Sequence, residues 1–262
     1  MQDPRFYSLV LHRLPHVGAA TYQRLTQHFG SPEKVLAAPI NRLESLLDNE
    51  TLVALQDFQV RAENSVVGQK VLLDLEWLAL QTDVHLVSIG DATYPELLRE
   101  IPKLPPLLFV RGDVHLLNLP QIAIVGSRNP TAGGHENAHR FAEFLAANGF
   151  AITSGLALGV DASAHQGALA AGGKTVAVMG TGLDLIYPSR HRRLAQEIVE
   201  TGGALVTELP LGSGSKAANF PQLAGFYYDN VVARGRRVLT SVLERGIERG
   251  EFRPVDTATF VH

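Results

Sequence analysis

Apolar residues recur at three- and four-residue steps from Arg5 to about Gln81, with Leu9, Val10 and Leu14 early and Leu72, Leu75, Trp77 and Leu78 late. That spacing keeps one side of successive helical turns apolar, so residues 1–82 are predicted to form a small all-helical module. The period then changes. Val84–Ile89 and Leu107–Val110 read as short strands around a proline-rich stretch, Pro95 to Pro106, that cannot continue a helix, and residues 83–120 are predicted to be a connector. From Gln121 onward, strands alternate with helices. The strands are Ile122–Val125, Ala151–Thr153, Thr175–Met179 and Ala204–Thr207; the helices lie around Ala138–Ala146, Asp161–Ala171 and Ser189–Val199.

Strands separated by helices imply crossovers and hence a parallel sheet, so residues 121–221 are predicted to be a Rossmann-like α/β domain with helices on both faces. Ala138, Phe141, Ala142 and Leu145 share one helical face, as a helix lying on a sheet requires. Gly149, Gly172 and Gly202 follow the helices as C-terminal caps.

With 262 residues and 45% hydrophobic content, the chain can bury proper cores without staples. It has no cysteine, which removes disulfides, thiolate zinc sites and cysteine nucleophiles and fits a reducing cytoplasm. The start MQDPRFYSLVLHRLPHVG lacks a basic n-region followed by a sustained apolar stretch, and no later stretch approaches the roughly 20 apolar residues of a membrane helix. A cytoplasmic protein with no membrane partner is expected. The net charge of −3 gives no global attraction to polyanions, so any nucleic-acid binding must come from a local basic patch or oriented backbone N–H groups.

In a parallel α/β sheet every strand-to-helix loop lies at the carboxyl edge, where such folds bind ligands. Here those loops read Gly126-Ser127-Arg128, then Ser154-Gly155-Leu156-Ala157-Leu158-Gly159-Val160-Asp161, then Gly180-Thr181-Gly182-Leu183-Asp184, then Glu208 to Phe220. Glycine after a strand lets backbone approach a phosphate, and the next helix supplies N–H donors and a favourable dipole. Three such loops predict an anion site, with Arg128 as a bidentate donor to phosphate oxygens. The bland reading is that these glycines only make tight turns, with Asp161 a helix N-cap and Asp184 a turn residue; for Asp161 the cap is favoured. His165 either orients a ligand or packs on the sheet.

Ser189-Arg190-His191-Arg192-Arg193 is the most basic short run, suited to phosphates or to a solvated face. Leu14-Pro15-His16-Val17-Gly18, followed by Tyr22, Leu25 and Phe29, has the form of one hairpin of a helix-hairpin-helix, SAM-like module, whose glycine turn either offers amides to a phosphate or simply joins two helices. There is no Gly-x-x-x-x-Gly-Lys-Ser/Thr, no Gly-x-Gly-x-x-Gly after the first domain strand, no metal-ligand spacing among His12, His16, His28, His85 and His115, and no nucleophile elbow. No cofactor, metal or catalytic residue is expected.

The strings IAIVGSRNPTAGG, ITSGLALGVDASAHQGAL, GKTVAVMGTGLDLIYPSRHRRL, GGALVTELPLG and NFP resemble the DprA family of DNA-processing proteins in order and spacing. The helical module, including LPHVGAATYQRLTQHFGSPEKVL, also resembles the domain that precedes the Rossmann-like fold there, so the resemblance spans about Arg5 to Pro221. It implies a non-enzymatic protein that binds and shields single-stranded DNA during natural transformation, helps load the RecA recombinase and forms a homodimer. By position it implies phosphate contacts from Gly126, Ser127 and Arg128 and from the loop Tyr187-Pro188-Ser189-Arg190, with Lys216 a further carried-over lysine. The full predicted site is Gly126, Ser127, Arg128, Ser154, Gly155, Gly159, Gly180, Gly182, Ser189, Arg190 and Lys216.

After Pro221 the resemblance stops. Residues 222–262 resemble instead the C-terminal region of TetR-type repressors, amphipathic through Val238, Leu239, Val242, Leu243 and Ile247, and are read as a helical tail for packing or dimerisation. Loss of the family's remaining strands would expose one side of the sheet. Two alternatives follow: a nucleotide or phosphoribosyl hydrolase using Asp161, Asp184 and Glu208, although the Pro-Gly-Gly-x-Gly-Thr-x-x-Glu motif of cytokinin-activating relatives is absent, and an inert chimera of low thermal stability.

Overall fold

The computed structural model describes residues 3–215. The expectations for Lys216 and for the tail over 222–262 therefore fall outside the described residues.

The N-terminal part comprises α1 (Phe6–Arg13), α2 (Ala19–Phe29), α3 (Pro32–Leu36), α4 (Asn49–Arg61) and α5 (Val66–Ala79). Three of these start on a side chain that accepts an orphan amide: Ser31 from Lys34 before the N1 proline of α3, Asp48 from Thr51 before α4, and Ser65 from Gly68 before α5. Phe6, Leu9, Val10, Leu25, Val35, Leu43, Leu55 and Val71 are essentially inaccessible to water. The module does not stand apart. Its core is continuous with Phe109, Ala177 and Leu205 of the sheet and with Ile198.

The sheet has six strands: β1 (Val84–Ser88), β2 (Leu107–Gly112), β3 (Gln121–Ala123), β4 (Ala151–Ser154), β5 (Thr175–Val178) and β6 (Ala204–Thr207), in the order β1-β2-β6-β5-β4-β3. β3 to β6 run parallel, as the alternation predicts. The stretch read as a connector does more than connect. β1 pairs antiparallel with β2, and β2 pairs antiparallel with β6, Val110 opposite Val206, so the sheet does not end at β6. Among the described residues, the strand at the far end is β3.

The helices of this half are α6 (Ala132–Ala147), α7 (Val160–Ala170) and α8 (Arg192–Glu200). The parallel strands succeed one another in space without a reversal, and right-handed crossovers in one direction place every helix on the same face. The packing agrees. Ile122 and Ile152 meet Ala142, Leu145, Ala164 and Ala168, and in the adjoining register Ala177 and Leu205 meet Leu194, Ile198 and the N-terminal helices. The opposite face, lined by Val176, Val178, Val206, Leu108 and Val110, is covered by Tyr94, Leu98, Leu104, Leu116 and Leu117. Those residues come from the proline-rich segment and two 3₁₀ turns, Leu97–Glu100 and Val114–Asn118. Helical cover of this second face is thus confined, among the described residues, to 3₁₀ turns.

Candidate nucleic-acid interface

The loops after β3 and β4 interlock. The Val160 amide donates to the Ser127 carbonyl at 3.1 Å, which brings the chain around Gly159 against the chain around Arg128. Gly159 has φ +80°, and a Cβ there would lie 2.3 Å from the Ser127 carbonyl oxygen and 2.8 Å from the Arg128 carbonyl carbon. A Cβ on Gly126 would lie 2.9 Å from Val160 Cγ2. Both glycines are therefore required for the two loops to touch, which goes beyond turning the chain.

Asp161 is the second fastener. Gly159 occupies the N-cap of α7 and Asp161 lies within the first turn, so the cap expected of Asp161 is not its role. Its carboxylate turns back to accept from the amides of Gly155, at 3.1 Å, and Ala157, at 3.3 Å, and it lies close enough to the Gly126 amide and the Ser154 side chain for both to act on its charge. Burial pushes this carboxyl above its ordinary value, while the polar groups of Ala157, Gly155, Gly126 and Ser154 around it pull the other way.

The expected site residues divide into open and covered groups, with Gly155 and Gly159 half-buried between them. Gly126, Ser127 and Arg128 are exposed, as are Ser189 and Arg190 at the start of the segment that leads into α8. Ser127 Oγ accepts from the Asn129 amide at 3.0 Å, holding the turn. His191, next to Arg190, ties this second group to the loop after β4: its ring Nδ1–H donates to the Leu156 carbonyl at 2.8 Å, since a carbonyl can only accept. Leu156 is fully buried with φ +58°, so this bond steadies a residue held in an unfavourable backbone region.

Ser154 is buried, and its hydroxyl donates to the Ile124 carbonyl at 2.6 Å, across from β4 to the chain leaving β3. Gly180 and Gly182 are buried too. The Gly182 amide donates to the Ser213 carbonyl at 2.9 Å, and Asp184 accepts from the Gly212 amide at 3.0 Å, so the loop after β6 lies over the third glycine loop. Of the three glycine loops, two meet at an open surface and the third is roofed.

His165 packs. It is fully buried, with Nδ1 2.7 Å from Thr175 Oγ1, and burial pushes its imidazole down to about 3, with the nearby His191 acting in the same direction. The N-terminal hairpin turn is occupied by its own chain: Thr51 Oγ1 donates to the Pro15 carbonyl at 2.7 Å, and His16 Nδ1 sits 3.0 Å from Asp48 Oδ2 with Glu50 nearby. The Thr51 amide holds the Asp48 carboxyl down at about 2, so an ionised carboxylate stands beside the turn and opposes an approaching phosphate. Neither the role of His191 nor that of Asp161 was legible in the chain; the only signal for Asp161 is a carboxylate two residues after a loop-ending glycine.

Among the described residues there is no cluster of three metal-ligating side chains and no helix long and apolar enough to cross a membrane.

A family described as DNA recombination-mediator protein A matches residues 85–223, and one described as a DprA-like N-terminal HHH domain matches residues 2–40. The chain is 35% identical over 223 residues to Protein Smf of Synechocystis sp., covering 82% of this chain and 53% of that protein. It is 44% identical over 146 residues to Protein Smf of Escherichia coli, covering 56% of this chain and 39% of that protein. The X-ray structure of DNA processing protein A (DprA) from Streptococcus pneumoniae aligns with a TM-score of 0.67 at 26% identity, covering 87% of this chain and 75% of that one. The chain spans about half the length of the curated relatives it matches.

Proposed function

The chain belongs to the DNA recombination-mediator protein A family, and from that membership we propose that its two interlocked, open loops bind single-stranded DNA through the backbone phosphates. The observation that carries this reading is the surface where Gly126, Ser127 and Arg128 stand exposed on a loop locked to the next one by Val160 and Asp161. Arg128 supplies two parallel N–H donors to one phosphate, the Ser127 hydroxyl a third donor, and Ser189 with Arg190 a second contact point along the strand. With a net charge of −3, affinity comes from this patch and not from the protein's overall field. Contacts to backbone phosphates carry no sequence information, so binding through them is tolerant of sequence.

Whole-protein roles extend this proposal: shielding incoming DNA during transformation, loading RecA, acting as a homodimer in the cytoplasm and doing so without an enzymatic step. The hydrolase alternative draws no support from two of its three acids, because Asp161 is engaged by loop amides and Asp184 by the Gly212 amide.

Fluorescence anisotropy of a labelled oligo-dT tests the reading. Arg128→Ala is expected to weaken binding roughly tenfold or more, the worth of a charge-assisted hydrogen bond of about 1.5–3 kcal/mol. Equal affinity of the variant and the parent chain would overturn the assignment of this loop.

A further inference from the structure

The outer surface of α7 and α8 carries an open cleft of about 510 Å³ lined by Gln166, Leu169, Arg190, His191, Arg193 and Glu197, among others. The volume lies within the roughly 300–1,000 Å³ typical of small-ligand clefts. Its chemistry is graded. Arg190 and Arg193 stand exposed at the end nearer the start of α8, and neither guanidinium forms an ion pair among the described residues. Leu169 and Leu194 supply apolar walls, Gln166 supplies an amide with both donors and acceptors, and Glu197 is the acid, one turn beyond Arg193.

The cleft is continuous with the loops described above. His191 lines it and at the same time donates to the Leu156 carbonyl, one residue from Gly155. Arg190 belongs both to the cleft and to the exposed phosphate-binding segment. Two unpaired arginines so close together repel each other and oppose the dipole of the helix they introduce, an arrangement that a bound polyanion relieves. Arg193 follows Arg190 by three residues, so its guanidinium extends the cationic surface away from the glycine loops and down the helices.

We infer that a single strand of DNA leaving the glycine loops past Arg190 continues along the α7–α8 cleft, with Arg193 on a phosphate and a nucleobase lodged against Leu169, Leu194 and Gln166. This rests on the single-stranded DNA reading of the loops and adds the direction in which the strand runs. It also makes Arg193 and Gln166 part of the binding surface only for strands long enough to leave the first site.

The test compares labelled oligo-dT of about 4 and about 16 nucleotides, the two ends of the length range one nucleic-acid-binding fold covers, on the full chain. Arg193→Glu is expected to leave the short strand's affinity within about twofold of the parent's and to weaken the long strand roughly tenfold. Gln166→Lys, which adds a cation to the cleft, is expected to tighten the long strand alone. Equal affinity of the parent chain and Arg193→Glu for the long strand, while Arg128→Ala still weakens both lengths, would overturn the cleft path and leave the loop site standing. Failure of the parent chain to bind either length would overturn both. All of these residues are exposed, so circular dichroism of the variants separates lost binding from lost fold.

Discussion

Replacing Gly159 by alanine is expected to destabilise the fold by roughly 2–6 kcal/mol and to remove oligo-dT binding with it. Two effects act together. The residue sits at φ +80° and ψ −125°, where a side chain costs about 1–3 kcal/mol. The new Cβ would also lie 2.3 Å from the Ser127 carbonyl oxygen, an overlap with backbone that only movement of the loop can relieve, at about 1–3 kcal/mol for overpacking. Movement there breaks the Val160–Ser127 hydrogen bond, which positions Arg128. Gly149→Ala is the control: its φ is also positive, +88°, but a Cβ there meets nothing within 4 Å. Urea denaturation should therefore show the Gly159 variant losing clearly more than the Gly149 variant. Equal losses would mean that the close approach of the two loops is not a constraint on folding.

A loss of about 3–5 kcal/mol is expected for Arg13→Ala, which leaves a buried carboxylate without its partner. Arg13 on α1 pairs through Nε and Nη2 with Asp74 on α5, whose side chain is only 3% exposed, and Nη2 also donates to the Leu211 carbonyl at 2.8 Å. Burial pushes the Asp74 carboxyl up, the bond and charge of Arg13 hold it down, and the charge of Asp184 raises it again. Removing the arginine takes away the restraining partner. Replacing both members, Arg13→Met with Asp74→Leu, should recover most of the loss, because well-packed apolar pairs substitute for buried ion pairs at little net cost. Denaturant midpoints of the two single variants and the double variant measure this directly. A double variant as unstable as Arg13→Ala would show that the Leu211 contact, not the ion pair, is what matters. That contact ties the helical module to the segment roofing Gly182, so the module supports the carboxyl edge from below.

The alternation of strands and helices from Ile122 to Thr207 was readable in the sequence because stretches of three to five residues rich in β-branched side chains alternate with 3.6-period stretches, and β6 falls on Ala204–Thr207 as expected. The start of α6 was not. Apolar spacing begins at Ala138, but the helix begins at Ala132, where Thr131 caps it by accepting from the Gly134 amide and the first turn faces solvent. Hydrophobic period reports burial, and an exposed first turn has none to report. The joining of β2 to β6 was hidden for another reason: pairing between residues about 95 positions apart leaves no local pattern, so Leu107–Gly112 looks the same in a connector as in a sheet. In the site, the exposed Gly-Ser-Arg turn was legible from residue type alone. That Gly182 is roofed while Gly126 is open depends on the path of the chain after Thr207, and the two glycine loops look alike in sequence.

Contact between Arg128 and a phosphate shows itself in the salt dependence of oligo-dT binding. The logarithm of affinity for single-stranded DNA falls with the logarithm of salt concentration by about 0.7 for each phosphate neutralised. Arg128→Ala is expected to bind more weakly than the parent chain, with a slope shallower by about that amount. A variant that is weaker but keeps the parent's slope would rule out the phosphate contact, because Arg128 would then be acting on the fold of the loop and not on the DNA.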